Sequence, residues 1–259
     1  MVANGDTTAM NHVRGNMADE VAEYIEGDAA SGLLLIADHA SNRIPGDISL
    51  GVPSCLLDEH VAVDIGVDAL SRALTARLRC PAVLARVSRL VVDLNREADE
   101  PGAIPTISDG YLIPGNEGLG AEERQARIDR FWCPYHAFID SRIDALQPRI
   151  LLSVHSFTPQ LASRPEEARP WQIGILYNED ERAARIAIDE LRAQGVITGD
   201  NEPYSGQLLN ATMNRHAEGR GLAYLGIEVR QDLIARRDDA ARWADRLAPV
   251  IDTVSRALA

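Results

Sequence analysis

The sequence contains no lysine, because all 26 of its basic residues are arginine. This absence excludes lysine Schiff-base chemistry and the anchoring of pyridoxal phosphate. It also excludes a phosphate-binding P-loop, which requires a lysine. The 39 acidic residues outnumber the basic ones, and the formal net charge is −13. We therefore expect no nucleic-acid partner and no anionic-membrane partner, since both require a basic surface.

Cysteine is also scarce, and long apolar runs are missing. Cys55, Cys80 and Cys133 form no C-x-x-C pair, so neither a disulfide framework nor a thiolate zinc site is indicated. No apolar run approaches the ~18 residues of a membrane span. The amino-terminal segment has no apolar signal core. We therefore predict a cytoplasmic protein with reduced thiols.

Two common catalytic motifs are absent as well. The sequence has no G-x-S-x-G elbow, which argues against the serine mechanism of α/β-hydrolases. No G-x-G-x-x-G motif follows a predicted strand, which argues against a nucleotide cofactor.

What the sequence does contain is an alternation of strand and helix patterns. Continuous apolar runs predict strands at 32–37, 82–86, 89–94, 149–154, 173–177 and 222–229. Periodic apolar positions predict helices at 58–79, 121–146, 181–194 and 236–258. This order predicts a three-layer α/β sandwich with a mostly parallel central sheet.

The length of 259 residues and the 46% hydrophobic content are compatible with one globular domain, which we assign to residues 31–259. Residues 1–30 are predicted to form an amino-terminal arm or first helix outside the core, with a helical patch near residues 17–25. Residues 97–120 are rich in Pro, Gly, Asn and Asp, and we predict a long loop there. The sequence is also compatible with a homo-oligomer.

Chemically active residues follow four of the predicted strands. They are Asp38 and His39; Asp93, Asn95 and Arg96; His155 and Ser156; and Glu228 and Arg230. Ligands of open α/β sheets bind outside the carboxyl ends of the strands, so we expect these residues to share one cleft.

Two histidines in this set suggest a catalytic metal centre. His39, His155 and a carboxylate, with one position left for water, would form a Zn²⁺ site, although Mn²⁺, Co²⁺ or Fe²⁺ would also suit such ligands. For the carboxylate we favour Asp64, with Glu59 as the alternative. The amide oxygen of Asn42 is a poor zinc ligand. The metal would polarise a carbonyl and lower the pKa of water, as amide hydrolysis requires.

The other polar residues are candidates for a base and for binding the substrate. Glu228 ends an apolar strand, where burial raises the pKa of a carboxyl, so it is our candidate for the base that moves a proton from water to the leaving nitrogen. The alternative is a structural ion pair of Glu228 with Arg230 or Arg96. Both arginines suit an acidic substrate, because arginine binds carboxylates bidentately. Further candidates for hydrogen bonds to the substrate are Ser41, Asn42 and Ser156.

Six segments combine these residues into longer motifs. They are Ala-Asp-His-Ala-Ser-Asn-Arg-Ile-Pro at 37–45, Asp-Ile-Gly at 64–66, Ser-Arg-Leu-Val-Val-Asp-Leu-Asn-Arg at 88–96, Phe-Trp-Cys-Pro-Tyr-His at 131–136, Ser-Val-His-Ser at 153–156 and Ile-Glu-Val-Arg-Gln-Asp at 227–232. Together and in this order they resemble the N-formylglutamate amidohydrolase family. The resemblance extends from about residue 30 to residue 240.

The resemblance implies a fold similar to that of zinc carboxypeptidases. It also implies that His39 and His155 bind the metal and that Glu228 is the base. Aspartoacylases have a similar Asp-Leu-Asn-Arg segment that holds the substrate. By that likeness, Asn95 and Arg96 would bind the carboxylate or carbonyl of the substrate.

The chain departs from related patterns at two places. Asn42 stands where carboxypeptidases have Glu, so Asp64 would resemble the more distant Glu of zinc-dependent cell-wall amidases. Asp-His-Ala-Ser at 38–41 and Ser-Val-His-Ser at 153–156 replace the Pro-His-Ser-Gly and Asp-Ala-His-Ser segments of members devoted to histidine breakdown. The chain therefore looks like a divergent branch.

We predict metal-dependent hydrolysis of the amide bond of a small N-acyl acidic amino acid, with N-formyl-L-glutamate, cleaved to formate and glutamate, as the leading substrate. One alternative is a zinc-dependent amidase of peptidoglycan or small peptides, which activity on muropeptides alone would favour. The other alternative is a non-catalytic binder of acidic metabolites, which would hold no metal and turn nothing over.

Overall fold

The computed structural model describes residues 20–259, and its central feature is a mixed seven-stranded sheet. The strands are β1 (Ala22–Ile25), β2 (Leu33–Ala37), β3 (Ala82–Ala85), β4 (Ile107–Ser108), β5 (Tyr111–Leu112), β6 (Ile150–Phe157), β7 (Ile173–Leu176), β8 (Thr198–Asp200) and β9 (Ala223–Arg230). The order in the large sheet is β1-β3-β2-β6-β9-β7-β8, and β4 and β5 form a separate hairpin. Strands β3, β2, β6 and β9 are mutually parallel, whereas β1 is antiparallel to β3 and β7 is antiparallel to β9.

Helices cover both faces of this sheet. They are α1 (Val67–Leu78), α2 (Ala121–Arg127), α3 (Cys133–Leu146), α4 (Arg182–Ala193), α5 (Ala211–His216) and α6 (Arg237–Ala257). Leu33 and Leu35 of β2 contribute to one core with α1, α4 and α6, while Leu34 and Ile36 contribute to a second core with α3. Side chains alternate between the faces of a strand, so β2 is apolar throughout. The predicted three-layer α/β sandwich is confirmed.

The amino-terminal part of the described chain differs from the predicted arm and helical patch. Residues 22–25 form β1, which pairs with β3 at the edge of the sheet. The exposed backbone groups of an edge strand favour such pairing, and the spacing of apolar residues within 17–25 carries no sign of that partner. The rest of the predicted arm, residues 1–19, lies outside the described residues.

Residues 89–94 form a turn-rich segment where we predicted a strand. Ser88 accepts a hydrogen bond from the backbone of Val91, which folds the chain back on itself. Leu90, Val91 and Leu94 are nonetheless fully buried in the second core. A short run of apolar residues is compatible with a strand that is buried on both faces and also with a buried turn. The periodicity of the sequence does not distinguish these two structures.

Two predicted helices also differ in detail. The helix predicted from residue 58 begins at Val67, because Gly66 has a left-handed φ of 84° and residues 59–65 form turns. The helix predicted over 121–146 is interrupted by a π-helical turn at Ile128–Trp132. Pro134 follows this turn and has no backbone N–H to donate. Within residues 20–259, no helix is long and apolar enough to cross a bilayer.

Candidate metal centre and catalytic cavity

The parallel strands β2, β6 and β9 deliver three polar side chains to one place. His39 lies two residues after the end of β2, and His155 lies near the end of β6. Glu228 of β9 pairs in register with His155. Val154 and Ile227, the residues just before them, pack in the core with α1 and α6. His155 and Glu228 therefore face the opposite side of the sheet, because side chains alternate along a strand.

Asp64 reaches the same place from the segment that precedes α1. Its backbone N–H donates to the carbonyl of His39 at 3.0 Å. Its Oδ2 lies 2.9 Å from Nδ1 of His155 and 3.4 Å from Nδ1 of His39. Asp64 is buried, whereas Glu59, the alternative third ligand, is exposed. The structure thus brings together the favoured set of two imidazoles and one carboxylate.

The donor set fits a divalent transition metal. His39, Asp64 and His155 each offer one ligand atom, and the three atoms lie within 4.8 Å of one another. Nδ1 of His39 is buried and has no hydrogen-bond partner among the described residues. Two nitrogens and one carboxylate oxygen are the ligands of many catalytic zinc sites, and they also suit Mn²⁺, Co²⁺ and Fe²⁺.

A buried carboxylate lies beside each of the two imidazole rings. Nε2 of His39 lies 2.7 Å from Asp93, and a carboxylate can only accept, so the proton is on Nε2 and Nδ1 keeps a free lone pair. Nε2 of His155 lies 3.5 Å from Oδ2 of Asp38. Tyr135 donates to the other oxygen of Asp38 at 2.8 Å. The hydrogen bond to Asp93 fixes the ring of His39 for a metal, whereas Asp38 lies close to His155 without a hydrogen bond to it.

Arg89 links Asp64 and Asp93, and the sequence did not indicate it as a site residue. Its guanidinium donates to Asp93 at 2.7 Å and to Asp64 at 3.2 Å. Burial opposes ionisation of both carboxyls, but the neighbouring His39 and His155 lower the pKa of Asp64 overall, and Arg89 and His39 lower the pKa of Asp93. The i, i+4 spacing of Arg89 and Asp93 was a possible signal, but the predicted strand assigned Arg89 no site.

Glu228 differs from these carboxylates because its charge is poorly compensated. Only 8% of the residue is exposed, and Oε2 has no hydrogen-bond partner among the described residues. Burial raises its pKa from the ordinary value of 4.5 to about 7. Within residues 20–259, Glu228 forms no ion pair with Arg96 or Arg230, in contrast to the structural alternative. A poorly compensated carboxylate with a pKa near neutrality is suited to accepting and releasing a proton.

These groups line one cavity of about 160 Å³, which is smaller than the roughly 300–1,000 Å³ of sites for drug-sized ligands. Seven of the residues singled out by sequence lie there: His39, Asp64, Asn95, Arg96, His155, Ser156 and Glu228. Ser156 is engaged in structure, because its hydroxyl donates to the carbonyl of Ile65 at 2.9 Å. Asn95 accepts from the backbone of Thr212 at 3.0 Å, which leaves its amide NH₂ available.

Three predicted substrate-binding residues are not brought to this cavity. Ser41 accepts a local hydrogen bond from the backbone of Arg43, and Asn42 donates to Asp58. Arg230 forms an ion pair with Asp232 at 2.8 Å, and this pair holds its guanidinium outside the cavity. Residue type alone made Ser41 and Asn42 candidates, and Arg230 was a candidate also by its place after a strand, but the sequence carries no information on their local partners.

His60, Tyr204 and Leu209 also line the cavity, and no sequence motif indicated Tyr204 or Leu209. His60 donates to Asp109 at 2.9 Å. Asp109 and Gly110 form the tip of the β4–β5 hairpin with φ values of 43° and 84°. Two positive φ angles suit a two-residue hairpin turn, for which Asp-Gly is a favoured sequence. The segment 97–120, predicted as a long loop, therefore contains a hairpin whose Asp109 holds His60 at the cavity.

Comparisons with known proteins support a hydrolase. The family model for N-formylglutamate amidohydrolase matches residues 31–235. A crystal structure of a gene product from Agrobacterium tumefaciens is 30% identical, with a TM-score of 0.85, and the match covers 94% of this chain and 98% of that chain. The N-formylglutamate amidohydrolase from Ralstonia eutropha JMP134 is 20% identical, with a TM-score of 0.72 and coverage of 92% and 98%, which is a likeness of fold. A search of curated proteins found no match.

Proposed function

The chain belongs to the N-formylglutamate amidohydrolase family, as its motifs predicted, and we propose that it is a metal-dependent amidohydrolase of small N-acyl amino acids. Membership of this family indicates hydrolysis of an amide bond. The observation that carries the finer proposal is the placement of His39, Asp64, His155 and Glu228 on one cavity.

His39, Asp64 and His155 would hold the metal, and zinc is the ion that we propose. When bound, such an ion polarises a carbonyl and makes a water molecule more acidic. The free Nδ1 of His39 and the carboxylate partners of both rings support this assignment.

Glu228 is proposed to accept the proton of the attacking water and to deliver it to the leaving nitrogen. Its position on β9, directly across from His155, supports this role. Its raised pKa also supports it, because a base with a pKa near neutrality can both take up and release a proton at cellular pH.

Arg96 is proposed to bind a carboxylate of the substrate. Its nearest carboxylate in the protein, that of Glu100, is 3.9 Å away, and no closer ion pair occupies it within the described residues. Arg89, the other arginine in the cavity, already forms ion pairs with Asp64 and Asp93. The NH₂ group of Asn95 can donate to a neighbouring oxygen of the same substrate. N-formyl-L-glutamate, hydrolysed in the cytoplasm, remains our leading candidate.

The first test measures bound metal and activity together. We expect about one zinc per chain by elemental analysis. His39→Ala should lose this zinc and the hydrolysis of N-formyl-L-glutamate, followed as formate release. His60→Ala is the matched control, because this histidine lines the same cavity but binds Asp109.

Absence of metal from the wild type, with no activity after zinc is added, would leave only the non-catalytic binder. Zinc-dependent cleavage of muropeptides without cleavage of formylated amino acids would replace the proposed substrate by a cell-wall fragment. Equal zinc content in wild type and His39→Ala would disprove the proposed ligand set.

A further inference from the structure

Tyr204 lies on the wall of the catalytic cavity with an arginine behind it. Nη1 of Arg169 donates to the hydroxyl oxygen of Tyr204 at 3.0 Å, and the guanidinium carbon is 5.0 Å from the centre of the ring. The Arg169 side chain is fully buried and is also held by the carbonyl of Thr158 and by Glu167. Tyr204 is therefore fixed from one side by a buried cation.

The direction of this hydrogen bond follows from chemistry. A guanidinium can only donate, so the hydroxyl oxygen of Tyr204 is the acceptor and its own hydrogen is free for another partner. Among the described residues, no acceptor for that hydrogen is present. Because Tyr204 lines the cavity, a bound molecule can supply the missing acceptor.

Three other tyrosines differ from Tyr204 in the partner of their hydroxyl hydrogen. Tyr177 has the same kind of partner, since Arg185 donates to its hydroxyl, but it also donates to Asp200 at 2.7 Å. Tyr135 donates to Asp38 at 2.8 Å, and Tyr224 donates to Glu218 at 2.9 Å. In each case a carboxylate takes the hydroxyl hydrogen. Tyr204 keeps its hydrogen for the cavity.

We propose that Tyr204 is a catalytic residue that donates a hydrogen bond to the acyl oxygen of the substrate as this oxygen becomes negatively charged, and that Arg169 is its positioning residue. This inference rests on the proposed amidohydrolase function. A donor polarised by a buried cation strengthens most when its acceptor gains negative charge. A fixed donor aimed at such an oxygen stabilises the transition state more than the bound substrate.

The assignment to the acyl oxygen also follows from the rest of the cavity. Arg96 is available for a carboxylate, whereas Tyr204 is neutral and better matched to a carbonyl oxygen in the ground state. Glu228 lies on the same cavity and handles the proton of water. Tyr204 therefore supplies a neutral hydrogen-bond donor, a role that neither the base nor Arg96 fills.

The test compares Tyr204→Phe with Tyr177→Phe in zinc-loaded protein, with N-formyl-L-glutamate as substrate. Tyr204→Phe should lower kcat about 10²-fold, the cost of removing one oxyanion donor, with KM nearly unchanged. Tyr177→Phe removes a comparable hydroxyl that does not line the cavity and should leave both constants unchanged. An unchanged kcat in Tyr204→Phe, or a raised KM with kcat intact, would overturn the proposal.

Arg169→Met tests the positioning role through a double-mutant cycle. It should lower kcat in the wild-type background but have little further effect in the Tyr204→Phe background. Additive losses would mean that Arg169 acts independently of Tyr204. The Tyr204→Phe comparison stands by itself if Arg169→Met does not fold.

A second measurement separates this inference from the proposed function. If the wild type hydrolyses none of the N-formyl amino acids tested, the proposed function fails, and calorimetry with inorganic phosphate, a tetrahedral oxyanion, then tests Tyr204 directly. Binding at least tenfold weaker in Tyr204→Phe than in Tyr177→Phe would support an oxyanion contact. Equal binding in the two variants would overturn it.

Discussion

Glu228, the proposed base, destabilises the folded state when its buried carboxyl is ionised. Its carboxyl is buried, and its pKa of about 7 in the folded chain exceeds the ordinary value of 4.5. The folded state therefore binds this proton more tightly than the unfolded state does. The stabilisation that comes from this tighter proton binding is present in full below about pH 4.5. It is lost as the pH rises to about 7.

Glu228→Gln should remove that pH dependence in metal-free protein. Near pH 4 the variant and the wild type should be about equally stable, because both carry a neutral side chain. Above pH 7 the variant should be more stable by up to about 3 kcal/mol, while kcat falls by about 10²-fold or more in zinc-loaded protein. Urea unfolding at several pH values measures the first effect. Parallel stability curves for the two proteins would contradict the assigned pKa shift.

Site residues at strand ends could be predicted from the sequence. Residues whose role depends on a distant partner could not. His39, His155 and Glu228 could be located because each one ends an apolar strand. Tyr204 lies in a segment without periodicity, and its significance depends on Arg169, which is 35 positions away in the chain. Arg230 shows the opposite error. It was predicted to bind the substrate because it ends a strand, but it forms an ion pair with its neighbour Asp232 instead.

Among the elements, the segment before α1 shows how one glycine positions a metal ligand. Gly66 has a φ of 84°, and a Cβ there would lie 2.3 Å from the carbonyl oxygen of Ile234. The chain can therefore turn sharply between Asp64 and the first turn of α1. A continuous helix from residue 58, as the sequence suggested, would have placed Asp64 on a regular helical face.

Gly66→Ala should consequently disturb both stability and metal binding. We expect a loss of at least about 2 kcal/mol, from left-handed strain plus the clash with Ile234, together with weaker zinc binding as Asp64 shifts. Gly118→Ala is the matched control, because its φ is 74° but a Cβ there would meet nothing within 4 Å. Thermal unfolding and zinc titration measure the two effects. Equal behaviour of both variants would mean that the contact with Ile234 is unimportant.

Apolar pattern predicted the elements well where a strand is buried on both faces and poorly elsewhere. Strands β2, β6 and β9 followed from continuous apolar runs. The segment 89–94, in which Leu90, Val91 and Val92 are apolar between Arg89 and Asp93, folds as a buried turn, and this places Asn95 and Arg96 at the cavity. The short strand β8 and the short helix α5 have too few residues to show a period.

At the scale of the whole molecule, the sandwich holds a cavity whose polar atoms are incompletely satisfied. Buried atoms of Asp38, His39, His155 and Glu228 have no hydrogen-bond partner among the described residues. Buried polar atoms without partners destabilise the folded state. A bound metal would relieve part of this, so folding and metal binding should be coupled.

Zinc should therefore raise the melting temperature. At a free concentration about 1,000 times the dissociation constant, the expected stabilisation is about 4 kcal/mol. For a chain of this size that corresponds to roughly 10 °C. Scanning calorimetry with and without a chelator measures the shift, and His39→Ala should show almost none. An equal shift in that variant would indicate binding elsewhere in the protein.

Strand β1 has a consequence for how copies of this protein behave at high concentration. It pairs along the whole of β3, whose residues Ala82–Ala85 are all apolar and buried. A chain shortened past Ile25 would present β3 as an open, apolar sheet edge, which is a template for pairing with another chain. At the opposite edge, β8 spans three residues, one fewer than β3. The segment predicted as an arm or first helix outside the core thus contains a strand that keeps β3 from pairing with another chain.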